Sequence, residues 1–584
     1  MRAIDLHVHS TYSDGTMTPT ELLKLAEETG LAAFALTDHD ATRGLDELLA
    51  LSADSPVEVV PGIEITTALP GKDIHVLGYY INYHRPELQK FLDDLIWKRE
   101  DRNMKMCERL HDAGLSITYE ALRASVTPNT ILTRAHFARF LLDAGEVSSM
   151  QEAFSRYLGD RCPTYVHREK VLPEEAVRII RAVGGVPVLA HPILYGFSDE
   201  KLDRLVASLK EAGLAGIETV YSTYQGADER QIRALAKKYD LLMTGGSDFH
   251  GSNKPHIRLG TGMSKLFIPE EFLDGIKMEY LRNYVPGAAS EAFRVPADTA
   301  NPCLAGKEVS YRCSTDVTCP GLLSFDMDGT LLNDDKQITP ATREALEAAL
   351  AKGYAFTIST GRPLTSILRL VDSLDLRKYN PYISAFNGGC IYDLTKEEII
   401  YKDTLTADVA AGIVAMVKEA GLHFHTYTER EVICEHDTEE VRFYSNYVRM
   451  EYRVCDDVLK EEPCPYKFIT MHLTDRSVLE AMQDKIMSKY GDVVQCIFSN
   501  DMFLEIIPKT SGKDVALRMM CDLSGVPFEN SYAFADQDND ISMLAAAAHG
   551  VAMVNGSKGA KNAAGYITFK DNNHDGLVPF LKAL

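Results

Sequence analysis

Six times within its first 250 residues the sequence runs a short apolar stretch into a residue type that binds metals. Ala3-Ile4-Asp5-Leu6 leads into His7 and His9. Ala33-Phe34-Ala35-Leu36 leads into Asp38 and His39. Val57-Glu58-Val59-Val60 leads through Pro61-Gly62 into Glu64, and Asp73-Ile74 into His75. Val186-Pro187-Val188-Leu189 leads into His191, and Leu241-Leu242-Met243 through Gly245-Gly246 into Asp248 and His250. Helix-like segments such as Pro19–Thr29 and Ser198–Ala212 separate some of these runs. Strands alternating with helices predict an α/β fold with a parallel sheet, here closed or nearly closed into a barrel. Chemistry in such barrels gathers at the C-terminal strand ends, where these ligands fall.

Residues 86–184 break the rhythm. Pro86–Ala113 reads as one long amphipathic helix carrying the single tryptophan, Trp97, expected in a core. Arg99 and Arg102 read as part of its solvated face. With further helical pieces at Thr133–Ala144 and Pro173–Ala182, the stretch reads as a helical insertion over the barrel mouth. Residues 286–320, rich in proline and small polar residues, read as a linker. Its Cys303, Cys313 and Cys319 match no zinc spacing. A second α/β domain follows at 321–584. Its buried strand Leu322–Phe325, helix Thr339–Lys352 and strand Ala355–Ser359 give way to a strand-rich α+β piece at about 393–504. The doubly wound pattern resumes with helix Gly512–Leu523 and strand Tyr532–Ala535, so the middle piece is an inserted cap.

Histidine usage divides the chain in the same place. Eleven of 17 histidines lie at or before His256, and the next is His423. In the first part, His7, His9, Asp14, His39, Glu64, His75, His191, Asp248 and His250 are candidate ligands of one metal cluster. His7 and His9 alternate by two and so point to one side of an extended chain; Asp248 and His250 repeat this. Glu64 offers two oxygens able to bridge cations. Imidazole mixed with carboxylate suits zinc, manganese or iron, and two such ions can clamp a phosphoryl displacement. The net charge of −23 excludes a broad basic surface for duplex DNA. The sequence shows no apolar run of membrane-spanning length, no secretory leader and no CxxC pair, which together point to a cytoplasmic, reduced protein.

The first part resembles the PHP family, named for polymerase and histidinol phosphatase domains, over roughly residues 1–285. The likeness rests on Asp5-Leu6-His7-Val8-His9-Ser10, Thr37-Asp38-His39-Asp40, Pro61-Gly62-Ile63-Glu64, His75-Val76-Leu77-Gly78-Tyr79, Ala190-His191-Pro192 and Gly246-Ser247-Asp248-Phe249-His250-Gly251. The resemblance implies a distorted (β/α)7 barrel with a trinuclear site. His7, His9, Glu64 and Asp248 would hold one ion, Glu64, His75 and His191 a second, and Asp14, His39 and His250 a third. Asp14 stands where many members have His, as in the branch acting on 3′,5′-bisphosphate nucleotides and short 5′-phosphorylated RNA. Thr133-Arg134-Ala135-His136-Phe137 also looks like that branch, with Arg134 and His136 as substrate-phosphate ligands and Lys170 as a third candidate.

In the second domain Asp326-Met327-Asp328-Gly329-Thr330 follows a buried strand. One carboxylate there can attack phosphorus and the other can protonate the leaving oxygen. Thr360 ends the next strand, Lys513 can neutralise developing charge, and Asp536, Asn539 and Asp540 offer oxygens to magnesium. This ordered set is similar to the haloacid dehalogenase-like (HAD) phosphatases of the Cof type, which carry a large cap. Asn387-Gly388-Gly389 and Glu505-Ile506-Ile507-Pro508-Lys509 also fit. The likeness implies Asp326 as nucleophile and Asp328 as general acid/base. Thr360 and Lys513 would hold the phosphoryl group, and Arg362 and Asn387 would lie on the substrate side. Asp326, the Asp328 carbonyl and Asp536 would bind Mg2+. Ala535 and Gly512 replace the usual Gly and Ser before the third acidic residue and the lysine.

The expected whole is a metal-dependent phosphoesterase with two centres. The first would take nucleotides or short RNA with two or three Mn2+, Zn2+ or Fe2+ ions. The second would take small phosphate monoesters through an aspartyl-phosphate. The alternative is a PHP enzyme regulated by a non-catalytic, phosphate-binding HAD module.

Overall fold

The computed structural model describes residues 2–53, 55–69, 72–127, 130–159, 161–166, 171–284, 319–379, 382–428 and 431–584. Lys170, Cys303, Cys313 and nearly all of the expected linker lie outside them. The chain divides into two compact units, Met1–Asn283 and Tyr284–Leu584. Each is described by itself.

In the first unit seven strands hydrogen-bond in sequence order: β1 (Ile4–Val8), β2 (Ala33–Leu36), β3 (Glu58–Leu69), β4 (Lys72–Tyr79), β5 (Val186–Leu189), β6 (Gly216–Tyr221) and β7 (Leu242–Gly246). Beyond β7 the chain returns to β1, where the Asp248 N–H donates to the His7 carbonyl at 2.9 Å and the His9 N–H to the Phe249 carbonyl at 3.0 Å. The sheet is therefore nearly closed as a barrel. It departs from the parallel expectation at one strand, since β4 is antiparallel to both neighbours. Only two residues separate β3 from β4, and so short a connection can join antiparallel strands alone. The reversal makes β4 enter from the end where its neighbours leave, so His75 sits early in its strand and still reaches the mouth.

Helix Pro19–Thr29 starts at a Thr18 capping box and ends on Gly30 with φ +73°. The helix Pro86–Asp112 spans two cores. Leu88, Leu92 and Leu95 join the barrel's apolar cluster. Met106, Cys107 and Leu110 join a separate cluster with Leu122, Phe137, Leu141 and Leu158. Its buried stripe leaves Trp97 on the opposite side, 71% exposed. Trp97 is thus a surface residue, not the core residue expected. Arg99 and Arg102 are buried rather than solvated, because the helix is clasped by both cores. Helix Pro173–Ala182 packs Ala176, Val177 and Ile180 into the barrel cluster, so it is a barrel helix that prepares β5 rather than part of the insertion.

The second unit has a core sheet of eight strands, in the order Glu398–Lys402, Cys390–Asp393, Tyr382–Ala385, Ala355–Ser359, Leu322–Phe325, Ser531–Ala535, His549–Ala552, Tyr566–Ile567. The six strands from Tyr382–Ala385 onward are parallel, and the first two are antiparallel. A separate six-stranded sheet runs Tyr452–Val454, Val432–Cys434, His423–Tyr427, Phe468–Met471, Phe503–Pro508, Val494–Asn500. Helices Ala407–Glu419 and Arg476–Tyr490 bury Ile413, Val417, Leu479 and Met482 against it. This sheet and its helices lie between core strands in the sequence and form the cap; Glu398–Lys402, within the expected cap range, pairs in the core sheet instead. No described helix is long and apolar enough to cross a membrane.

Burial lowers the pKa of His423, His425 and His549 in this unit, and each is expected to add to its acid sensitivity. His549 stacks on Tyr532 at 4.6 Å, and burial pushes its imidazole down to about 4. The unfolded group takes its proton near pH 6.5, while the folded one resists. Its stabilising contribution is therefore whole above pH 6.5 and is lost as pH falls toward 4, on the order of 3 kcal/mol. His549→Phe is expected to remove this share of the acid limb, leaving that of His423 and His425, when denaturant unfolding is followed at pH 7 and pH 5. An unchanged slope would sink this account.

Candidate active sites

In the first unit, β1 alternates His7 and His9 onto the barrel interior, and the turn after it delivers Asp14. His39 follows β2, Glu64 lies within β3, β4 supplies His75, and the turns after β5 and β7 supply His191, Asp248 and His250. The structure brings all nine together. Glu64 is the hub. Its Oε2 lies 3.2 Å from both His7 Nε2 and His9 Nε2 and 3.1 Å from His39 Nδ1. Its Oε1 lies 2.8 Å from His75 Nδ1 and 3.1 Å from His191 Nε2. Asp248 Oδ1 is 3.4 Å from His9 Nε2, and Asp14 Oδ1 is 3.2 Å from His250 Nε2. Four ligand groupings result: His7–His9–Asp248, His7–Glu64–His191, His39–Glu64–His75, and His9–Asp14–His39–His250. His9 thus reaches the set around Asp14 as well as the set expected for it.

The donor chemistry fits cations. His7 Nε2, His9 Nε2 and Asp14 Oδ1 are buried without a hydrogen-bond partner, a costly arrangement unless an ion satisfies them. Two ligand residues carry strained backbones, His191 at φ 26° and Asp248 at φ 58°, a state that persists where the surroundings impose it. The charges oppose one another. Burial alone would raise Glu64, but His39, His7 and His75 hold it well below the carboxylate range. Burial pushes His39 down to about 3. Against the same burial, Asp248 and Glu64 lift His9 to about 9.

A surrounding layer fixes these ligands. Glu218, in the middle of β6, sets Oε1 3.1 Å from His7 Nδ1 and accepts the His191 N–H on Oε2 at 2.8 Å. This residue was missed in the sequence, where the signal was a carboxylate inside an otherwise apolar strand. The Tyr221 hydroxyl and Lys254 Nζ both donate to Asp248 Oδ2, at 2.5 and 2.6 Å. Asp40 accepts from the Thr66 N–H at 2.8 Å and pairs with Arg99, which gives that buried arginine its role. The Glu218 contact holds His7 so that Nε2 faces Glu64. Glu218→Gln is expected to weaken metal retention about 10–100-fold, read by metal content after dialysis against a graded chelator; unchanged retention would remove Glu218 from this role.

The phosphate-side candidates are less open. Thr133 caps helix Arg134–Asp143 and donates from Oγ1 to Asp14 Oδ2 at 3.2 Å. His136 Nδ1 accepts the Thr133 N–H at 3.0 Å, and burial lowers its pKa. Arg134 pairs with Asp73 at 3.1 Å and donates to the Leu158 carbonyl at 3.3 Å.

In the second unit, Asp326 follows strand Leu322–Phe325 and Lys513 opens helix Lys513–Ser524. Lys513 Nζ lies 2.6 Å from Asp326 Oδ1 and 2.5 Å from Asp540 Oδ1. Asp326, Asp536 and Asp540 place buried oxygens within 4.8 Å of one another. Three carboxylates face one ammonium, which fits a divalent cation. Burial and then Asp540 push Asp536 up to about 7, and burial raises Asp326 against the pull of Lys513. Gly329, at φ +80°, is required here, since a Cβ would stand 2.4 Å from Asp536 Oδ2.

Arg362 grips Asp328 through Nε at 2.5 Å and Nη2 at 2.7 Å, and Lys336 adds a contact at 2.7 Å. Against burial, these hold Asp328 down at about 2. Thr360 is buried, and its Oγ1 accepts the Arg362 N–H at 3.1 Å. Asn387 faces the cap, giving Nδ2 to Glu505 at 2.7 Å and accepting from Asn539 at 3.3 Å. Lys467 Nζ joins the same Glu505 at 2.5 Å and reaches the Gly361 carbonyl at 2.8 Å. Neither Lys467 nor Glu505 stood among the predicted site residues. Ala535 ends its strand buried without strain, so the missing glycine costs nothing there.

Comparison with known proteins agrees with this division. The family model of the PHP domain matches residues 5–168, and that of the haloacid dehalogenase-like hydrolases matches residues 323–581. A 5′-3′ exoribonuclease of Haemophilus influenzae is 36% identical over 247 residues, 42% of this chain and 89% of the relative. A 3′,5′-nucleoside bisphosphate phosphatase of Chromobacterium violaceum is 35% identical over 43% of this chain and 88% of its own length. A 5-amino-6-(5-phospho-D-ribitylamino)uracil phosphatase of Bacillus subtilis is 26% identical over 45% of this chain and 97% of its own. The chain is a hydrolase of phosphoric ester bonds that belongs to the PHP family through its first half and to the haloacid dehalogenase-like hydrolases through its second.

Proposed function

We propose that the first centre hydrolyses phosphate esters of nucleotides, either 3′,5′-bisphosphates or short 5′-phosphorylated RNA. The second would hydrolyse small phosphate monoesters, such as a sugar phosphate, through an aspartyl-phosphate. The observation that carries the first half is the convergence of seven side chains, His7, His9, His39, His75, His191, Asp248 and His250, with Glu64 and Asp14. His7, His9, Glu64 and Asp248, then Glu64, His75 and His191, then Asp14, His39 and His250, would hold Mn2+, Zn2+ or Fe2+. In the second centre Asp326, the Asp328 carbonyl and Asp536 would hold Mg2+, with Asn539 and Asp540 in support. Such ions supply Lewis acidity and charge neutralisation when bound. The chain's own groups do the rest in the first centre. Glu218 keeps His7 in one tautomer, Lys254 and Tyr221 steady Asp248, and Arg134 would exchange Asp73 for a substrate phosphate beside His136.

In the second centre an Asp326 oxygen attacks phosphorus and the phosphorus–oxygen bond to the leaving alcohol breaks. Asp328 would first leave its Arg362 and Lys336 partners and take a proton from solvent, then give that proton to the leaving alcohol. Water then attacks the aspartyl-phosphate while Asp328 takes back a proton, releasing inorganic phosphate and free Asp326. Lys513 and Thr360 hold the phosphoryl oxygens during both steps. The test uses the full chain after chelation, offered bisphosphate nucleotides, 5′-phosphorylated RNA, sugar phosphates and flavin mononucleotide. Mn2+ is expected to restore release from the nucleotides and Mg2+ from the monoesters. Full turnover while chelated would defeat the proposal.

A further inference from the structure

One face of the cap sheet packs on helices, where Phe468, Leu504 and Ile506 join an apolar cluster with Ile413 and Leu479. Lys467 and Glu505 take the other face, since Ile469 pairs across from Glu505 and Lys467 lies two positions before Ile469. Both are buried, with Lys467 Nζ 2.5 Å from Glu505 Oε2. Burial pushes the Lys467 ammonium down against the pull of Glu505, and the Lys513 charge adds to the depression. A buried ion pair adds little stability by itself, because desolvation offsets the attraction. This one bonds onward to the core.

Lys467 Nζ donates to the Gly361 carbonyl at 2.8 Å, and the same Glu505 oxygen accepts Asn387 Nδ2 at 2.7 Å. The Asn387 N–H in turn donates to the Thr360 carbonyl at 3.0 Å. Successive carbonyls of the Thr360 turn are therefore held from the cap, one directly and one through Asn387. The loop carrying Asn387 needs such a hold. Phe386, Asn387 and Gly388 follow one another at φ 51°, 53° and 91°, and for the two that are not glycine such states persist only where the surroundings impose them. Phe386 is stacked on Tyr466, with ring centroids 4.4 Å apart. A Cβ on Gly388 would stand 2.1 Å from the Gly512 carbonyl, so this loop also backs the residue before Lys513.

Resting on the phosphatase reading of the second centre, we propose that Lys467 of the cap is a positioning residue for phosphoryl transfer. With Glu505 it holds the Thr360 turn and the Phe386–Gly388 loop, and through them sets Thr360 and Lys513 where the phosphoryl oxygens are met. Every monoester brings the same phosphoryl group, so weakening this hold costs each one the same factor, mainly in kcat. A cap side chain that reads the leaving alcohol would instead act on KM and differ from ester to ester. The full chain is assayed for phosphate release from glucose 6-phosphate, glycerol 1-phosphate and flavin mononucleotide, with the Asp326→Asn chain as blank, and thermal unfolding midpoints are read alongside. Lys467→Met strands the Glu505 charge and is expected to lower both kcat and the midpoint. Lys467→Met combined with Glu505→Gln removes that charge. Its midpoint is expected to return toward the wild type while kcat stays about 10–100-fold down on each ester turned over. Recovery of kcat together with the midpoint, or losses that differ more than about fivefold between esters, overturns the inference and leaves the phosphatase reading standing. The ester comparison is also made on Lys467→Met below its own midpoint, so it decides even where the double variant does not fold. No release by the wild type above the blank from any of these esters overturns both.

Discussion

Asp326→Asn is expected to abolish release of phosphate from monoesters by the second centre, by about 10³-fold or more. The amide keeps the shape but cannot attack phosphorus. It also removes one of three clustered carboxylates, leaving Asp536 and Asp540 with Lys513. The fold should survive, because Lys513 retains its 2.5 Å contact with Asp540. The measurement is single-turnover phosphate release, with trapping of the phosphorylated chain in the wild type and none in the variant. The same experiment separates an enzyme from a regulatory module. If this half only binds phosphate to control the first centre, the variant should keep its effect on nucleotide hydrolysis and the wild type should show no monoester turnover.

Glu64→Gln is expected to reduce nucleotide or RNA hydrolysis by a similar factor while monoester release by the second centre continues. Glu64 touches five imidazoles, those of His7, His9, His39, His75 and His191. With ions bound, its charge would offset those it bridges. The neutral amide would force the ions apart or out, so metal content should fall together with turnover. Retained metal and retained hydrolysis in this variant would show that the cluster is not where the chemistry occurs.

The nine candidate ligands of the first centre were legible because each lies in a strand or soon after one, and such positions on one side of a barrel converge. The direction of β4 was less obvious, although the two residues between Leu69 and Lys72 leave room for nothing but a reversal. What stayed hidden depends on partners far away in the chain. Arg99 looks like any helix-surface arginine until Asp40 is seen against it, and Arg134 pairs with Asp73 across 61 positions. Trp97 misled for a related reason. Size suggested burial, yet the two cores gripping the helix take its other side. Glu218 could have been found, since a carboxylate does not stay in an apolar strand without a partner, and the partner here is His7. In the second unit the Asp326, Lys513 and Asp536 order was plain, whereas the cap residues facing them were not, because cap-to-core contacts follow no spacing rule.

The hydrogen bond from Thr133 to Asp14 bears on how such proteins diversify. The helical insertion and the barrel share that junction, so the accessory module is not freely exchangeable. A graft of the segment between β4 and β5 from a relative lacking this threonine would take the donor from Asp14 Oδ2 while His250 still faces Oδ1. Changes on either side of the junction should therefore be inherited as a pair, and chimeras that respect the pair should outperform those that split it.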